Sequence, residues 1–138
     1  MKFLHCMIRV NNVEKTLQFY CDLLGLKLLR KKDYPKGKFS LYFLAAGEGM
    51  PEIELTHNWG DRSYSHGDNF GHLAYLVEDI YELCDRLKSN GIAILRPPRD
   101  GHMAFVKDPN GISIELLQSG KALLPQEPWL SMANTGSW

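Results

Sequence analysis

The chain repeats itself, and that repetition narrows its possible folds more than any other feature. Phe3-Leu4-His5-Cys6-Met7-Ile8-Arg9-Val10-Asn11-Asn12-Val13 is echoed by Phe70-Gly71-His72-Leu73-Ala74-Tyr75-Leu76-Val77-Glu78-Asp79-Ile80. In each copy a His stands two residues after a Phe, a Val follows, and a helix-start signal comes next. Each copy then passes a helix-ending glycine, Gly25 or Gly91, and closes on Ile-Glu-Leu, at Ile53–Leu55 and Ile114–Leu116. A duplicated supersecondary unit carrying a His and a Glu at matching places is the natural reading. At 138 residues and 44% hydrophobic content, the chain suits one compact domain or two small modules sharing a core.

The local patterns give each copy the same order of elements. Residues 2–10 alternate, with Leu4, Cys6, Ile8 and Val10 on one face and Phe3, His5, Met7 and Arg9 on the other. A face that mixes His and Arg with apolar residues suits a site better than open water. Asn12 caps a helix whose apolar stripe is Val13, Leu17, Tyr20 and Leu24. Strands follow at 26–30 and 39–44 around a turn at 33–37, and another at 52–56. In the second copy a strand over 70–77 leads into a helix opened by Asp79 and Glu82, with Ile80, Leu83, Cys84 and Leu87 as its stripe. Strands are expected at 92–96, 103–107 and 112–118, the last after the turn Asp108-Pro109-Asn110-Gly111. The predicted class is α+β, with two paired βαβββ modules at 1–57 and 69–118, a polar linker at 58–68, and an irregular tail at 119–138. The tail's apolar residues imply that it packs across a surface.

Lys+Arg and Asp+Glu both number 16, so no charge excess points to nucleic acid or an anionic membrane. No apolar run is long enough to span a bilayer, and residues 1–10 do not read as a signal peptide. Cys6, Cys21 and Cys84 lack CxxC spacing and sit within apolar patterns, as reduced core thiols of a cytoplasmic protein would.

A lone strand His or a lone half-exposed Glu is usually structural. The repeat changes that balance, because His5 and Glu54 are matched by His72 and Glu115. If the modules are related by a pseudo-twofold axis, the four converge on one point. Two imidazoles and two carboxylates suit a six-coordinate Ni²⁺, Co²⁺, Mn²⁺, Fe²⁺ or Zn²⁺, with positions left for substrate oxygens.

These residues resemble the vicinal oxygen chelate superfamily and, more closely, its short bacterial glyoxalase I members. The resemblance is carried by His5–Val10, Phe19-Tyr20, Leu24-Gly25-Leu26 and Ile53-Glu54-Leu55-Thr56-His57-Asn58-Trp59-Gly60, and in the second half by Phe70-Gly71-His72, Phe105–Gly111 and Ile114–Leu116. It implies a lyase that converts the methylglyoxal–glutathione hemithioacetal to S-lactoylglutathione through an enediolate. It also implies metal ligands His5, Glu54, His72 and Glu115, with Ni²⁺ first among the metals and Co²⁺ or Zn²⁺ as alternatives. Glu115 is then the leading base and Glu54 its counterpart, while Arg9 and Asn58 hold the γ-glutamyl end of glutathione. A homodimer is implied too, each site taking His5 and Glu54 from one chain and His72 and Glu115 from the other. From the residues alone, four ligands meeting within one chain stays open.

The chain departs from this family pattern in three places. The Lys/Gly-rich loop expected before Phe105 is replaced by Arg96-Pro97-Pro98-Arg99-Asp100-Gly101-His102, where Arg99 is the candidate grip for the glycyl carboxylate. Asp68 stands where some members carry an Arg, and the tail is an addition that covers either the site or the dimer seam. The alternative readings are another enzyme of the superfamily (an epimerase, a dioxygenase or a lyase using a different thiol) and a non-catalytic binding module of the same fold. Dioxygenases need only two His and one carboxylate, and a binding module needs no metal ligands, so the full His/Glu set favours the lyase.

Overall fold

The computed structural model describes residues 1–138 and divides them into two compact units, Met1–Ser65 and His66–Trp138. The first unit carries β1 (His5–Arg9), α1 (Val13–Leu17), β2 (Lys27–Tyr34), β3 (Phe39–Ala45) and β4 (Glu52–Asn58). Its four strands lie in the order β1-β4-β3-β2, with β1 parallel to β4 and the other pairs antiparallel. The second unit carries β5 (His72–Val77), α2 (Ile80–Ser89), β6 (Met103–Lys107) and β7 (Ser113–Gln118), with strand order β5-β7-β6. Here too the first strand pairs parallel with the last. The class is α+β, as expected.

Asn12 caps α1, its Oδ1 accepting from the Lys15 N–H at 2.9 Å. The expected single helix then opens into a π-helical turn over Gln18–Leu23, which the periodicity does not reveal. The wider turn carries one extra residue, so the buried side chains are Thr16, Phe19, Tyr20 and Leu23 rather than an even stripe. Phe19 and Tyr20 are neighbours in sequence yet both buried, their rings edge to face at 5.0 Å. In the second unit Asp79 Oδ1 accepts from the N–H groups of Tyr81 and Glu82. The buried Gln118 side chain accepts from the Ile80 N–H at 2.9 Å and donates to the Glu78 carbonyl, tying the end of β7 to the start of α2. Burial pushes the Cys84 thiol on α2 up to about 12, which fits an inert core residue. No disulfide forms, and no helix is long and apolar enough to cross a membrane.

One expected strand is missing. Residues 92–96 make no named strand; only Arg96 bridges Phe105. Pro97 and Pro98 have no N–H to continue a ladder, and the free edge is claimed by the tail. Thr135 donates its N–H to the Leu95 carbonyl at 2.8 Å, and its Oγ1 donates to the Ile94 carbonyl. The second module is therefore βαββ, with Thr135 bonded along residues 94–95. The tail has further anchors. Trp129 is 1% exposed, the Tyr81 hydroxyl donates to the Leu124 carbonyl, and Leu123 and Gly101 share a backbone hydrogen bond. Strand ends also shift: β1 starts only at His5, β2 runs on to Tyr34, and β4 reaches Asn58.

The loop beneath the tail is held by Asp100. Partial burial would raise its carboxyl, but Arg96 and the N–H groups of Met103 and His102 outweigh that and hold it down at about 2. Gly101 has φ +65°, and a Cβ built there would stand 2.0 Å from the Leu123 carbonyl oxygen. Both the conformation and the space require glycine. Gly101→Ala should lower unfolding stability by about 1 kcal/mol or more, read from chemical denaturation. A loss within error of zero would show that the tail does not hold its seat against this loop.

Candidate functional site

Parallel pairing sets the site's geometry. His5 pairs with Glu52 and Met7 with Glu54, so the His5 side chain meets Glu54 on a diagonal across the same sheet face. In the second unit His72 pairs with Ser113 and Ala74 with Glu115, which is the same diagonal. The distances agree as well: His5 Nε2 lies 3.1 Å from Glu54 Oε2, and His72 Nε2 lies 3.2 Å from Glu115 Oε2. In both pairs the Glu is the more buried member, at 15% and 17% side-chain exposure against 39% and 42% for the His.

The donor chemistry and spacing fit a metal. Two donors at right angles around an ion with bonds of about 2.0–2.2 Å stand about 3 Å apart. Without an ion the same distance is a His-to-carboxylate hydrogen bond, which keeps both polar groups satisfied. His5 and Glu54 form one half-site and His72 and Glu115 the other. No group of three or more His, Cys, Asp or Glu able to hold a metal occurs in the chain.

Each half-site is backed by a phenylalanine that the motif reading passed over. Phe43 pairs with Glu54 across β3 and β4, and Phe105 pairs with Glu115 across β6 and β7. Each ring stands edge-on to the His, Phe43 to His5 at 6.3 Å and Phe105 to His72 at 5.3 Å. The available signal is a Phe in the penultimate strand of both copies. What covers the rings differs. The Arg30 guanidinium lies 3.8 Å over Phe43, fixed by a two-pronged ion pair to Glu52 at 2.6 and 2.7 Å. That fork holds Glu52 below the ordinary carboxylate range. Over Phe105 lies the indole of Trp138, stacked at 5.5 Å and 23°. Arg30, Phe43, His5, Glu52 and Glu54 share a cleft of about 420 Å³ with Phe3 and Met50.

Arg9 and Asn58 repeat the diagonal further along the first sheet. Arg9 pairs with Thr56, two residues before Asn58, so both lie on the face of His5 and Glu54. Arg9 is exposed, and the Asn58 amide donates to the Tyr64 hydroxyl at 2.9 Å. Trp59 donates to Ser40 Oγ at 3.0 Å, a packing role. Arg99 is half-buried, and its Nη1 donates to the Met132 carbonyl at 2.8 Å, tying the guanidinium to the tail.

A family model described as the Glyoxalase/Bleomycin resistance protein/Dioxygenase superfamily matches residues 2–116. A "Probable lactoylglutathione lyase" of Synechocystis sp. is 51% identical over 126 residues, 86% of this chain and 96% of the relative. The "Lactoylglutathione lyase" of Neisseria meningitidis is 46% identical over 125 residues, 86% of this chain and 91% of the relative. Among solved structures, the Leishmania major glyoxalase I, described as trypanothione-dependent, superposes with a TM-score of 0.82 at 42% identity, covering 86% of each chain. Glyoxalase I from Zea mays gives 0.80 at 36% identity, covering 87% of this chain and 45% of that one.

Removing either imidazole should lower affinity for Ni²⁺ by at least about tenfold. Calorimetric titration of chelator-stripped His5→Ala and His72→Ala proteins checks this. Unchanged affinity in either variant would remove that half-site from the metal centre.

Proposed function

Because the chain belongs to the Glyoxalase/Bleomycin resistance protein/Dioxygenase superfamily, we propose that it is a metal-dependent lactoylglutathione lyase. The reaction we assign converts the hemithioacetal of methylglyoxal and glutathione to S-lactoylglutathione. The observation that carries this reading is the twin half-site, a His and a Glu at the same diagonal and nearly the same distance in both units. The curated relatives named lactoylglutathione lyase supply the reaction.

His5, Glu54, His72 and Glu115 are the residues that would hold the metal. Their mix of imidazole and carboxylate suits Ni²⁺, Co²⁺ and Zn²⁺ alike, and the resemblance to short bacterial glyoxalase I members puts Ni²⁺ first. When bound, the ion supplies Lewis-acid polarisation of the substrate's neighbouring oxygens, lowering the cost of an enediolate. The chain's own groups move the protons. Glu115 takes the proton from C1 of the hemithioacetal; the C–H electron pair becomes the C1–C2 double bond as the C2 carbonyl π pair moves onto its oxygen. The proton is then returned to C2, which takes up the C1–C2 π pair, while the C1 hydroxyl becomes the thioester carbonyl and its proton passes to the C2 oxygen, so no external oxidant or reductant is needed. Glu54 is the matching carboxylate on the other side. Phe43 and Phe105 keep the imidazoles against their carboxylates and exclude water from behind them.

Arg9 and Asn58 hold the γ-glutamyl end, an Arg fork for its carboxylate and an amide for its donors and acceptors. They stand four residues along the sheet from His5 and Glu54, about 13 Å at about 3.3 Å per residue. Glutathione then lies along this face with its γ-glutamyl end toward Arg9 and Asn58 and its sulfur toward the half-site. The free thiols fit a reducing cytoplasm.

A half-site offers only two protein donors, which supports a homodimer in which His5 and Glu54 work with the partner's His72 and Glu115. Glu115→Gln should abolish turnover, by at least about 10²-fold, while leaving substantial metal binding. Near-normal thioester formation would sink the assignment of the base. Subunit sharing has a separate test. His5→Ala and His72→Ala proteins, each inactive, are unfolded together, refolded together and assayed. Shared sites regain up to about a quarter of wild-type turnover, because half the dimers are mixed and each holds one intact site. No recovery at all, with mixed dimers verified by mass, would place each site within one chain.

A further inference from the structure

The two half-sites agree in their ligands and their phenylalanines but differ in what lies on the phenylalanine. In the first unit the covering group is the guanidinium of Arg30, from β2. The second unit has no named strand in the corresponding place, and Arg96 there is turned to the Met103 carbonyl and to Asp100. The covering group is instead Trp138, brought from beyond the last strand.

The seat of Trp138 is built by contacts along the tail. Trp129 is buried, Arg99 grips the Met132 carbonyl, Thr135 bonds Ile94 and Leu95, and Gly136 lies against the Leu95 side chain. The indole then stacks on Phe105, whose own ring stands edge-on to His72. One face of the indole is occupied in this way, yet the residue remains 43% exposed. A large apolar ring stacked on the phenylalanine that meets His72, and left partly open, is a wall awaiting a ligand.

On the lyase reading given above, we infer that Trp138 is a specificity-determining residue whose open side receives the carbon substituent of the 2-oxoaldehyde. The substrate oxygens lie at the metal ligands, so the group attached to the adjacent carbon points toward the side that Phe105 and the ring stacked on it form. That side is aromatic, which favours flat or bulky apolar substituents over a methyl group. The cationic cover of the first half-site offers no such surface. The tail, bonded to the 96–102 loop, thus brings an apolar surface to a side where the family pattern has a polar loop.

The test compares wild type, Trp138→Ala and Trp138→Phe as Ni²⁺-loaded full-length proteins. Turnover is measured with the glutathione hemithioacetals of methylglyoxal and phenylglyoxal. Affinities for the two products, S-lactoylglutathione and S-mandeloylglutathione, are measured by calorimetry with and without Ni²⁺. In Trp138→Ala the phenyl-over-methyl preference should fall about three- to tenfold in kcat/KM and in product affinity. Trp138→Phe should restore most of it. An equal loss for both substrates, or no loss, would make the tail purely structural and overturn the inference. The lyase reading fails separately, if wild type turns over neither hemithioacetal while the preference between the thioesters still depends on residue 138. Wild type binding neither thioester would overturn both.

Discussion

Parallel pairing between the first and last strand of each unit is the constraint from which the site follows. Antiparallel hairpins are closed by short turns, whereas a parallel pair needs a long connection. The helix and the intervening strands supply that connection and at the same time cover the sheet's core face with Phe19, Tyr20 and Leu23, or with Ile80, Leu83 and Leu87. Because the register is the same in both units, one His and one Glu meet on the opposite face each time. A one-residue slip of β4 or β7 would send Glu54 or Glu115 into the core and expose Ile53 and Leu55, or Ile114 and Leu116. Aliphatic burial thus fixes the direction of each Glu: the residues flanking it decide which way it points.

The repeat made much of this legible. His5, Glu54, His72 and Glu115 could be read because a duplicated unit must place equivalent residues equivalently, and alternation within each strand then gives the face. The Asn12 and Asp79 caps were legible for a local reason, since a short polar side chain before an apolar stripe has one economical use. The π-helical turn was not. Its signature is one residue of surplus in a periodic run, which a stripe of Val13, Leu17, Tyr20 and Leu24 absorbs without a visible break.

The departures in the second unit come from contacts between residues far apart in sequence. Ile92–Arg96 has strand composition, yet its edge is taken by Thr135, and nothing local in either segment announces the other. Arg99 has the chemistry of an anion grip, and its bond to the Met132 carbonyl is a second use that its own surroundings in sequence do not announce. Phe43 and Phe105 looked like ordinary core residues; their importance appears only when the cross-strand partner, a glutamate in both cases, is known. Charge and aromaticity report what a side chain can do, while long-range pairing decides which of those uses is taken.

The positions of the two covering groups along the chain also impose an order on biosynthesis. Arg30 leaves the ribosome before Glu54, so the first half-site can acquire its cover and its carboxylate while the second unit is still being made. Trp138 follows Glu115 by the length of the tail, so His72 and Glu115 emerge ahead of the ring that stacks on Phe105. Domains fold as units during vectorial synthesis. Phe43 is therefore covered from within its own sheet as that unit forms, whereas Phe105 waits for the last residues of the tail.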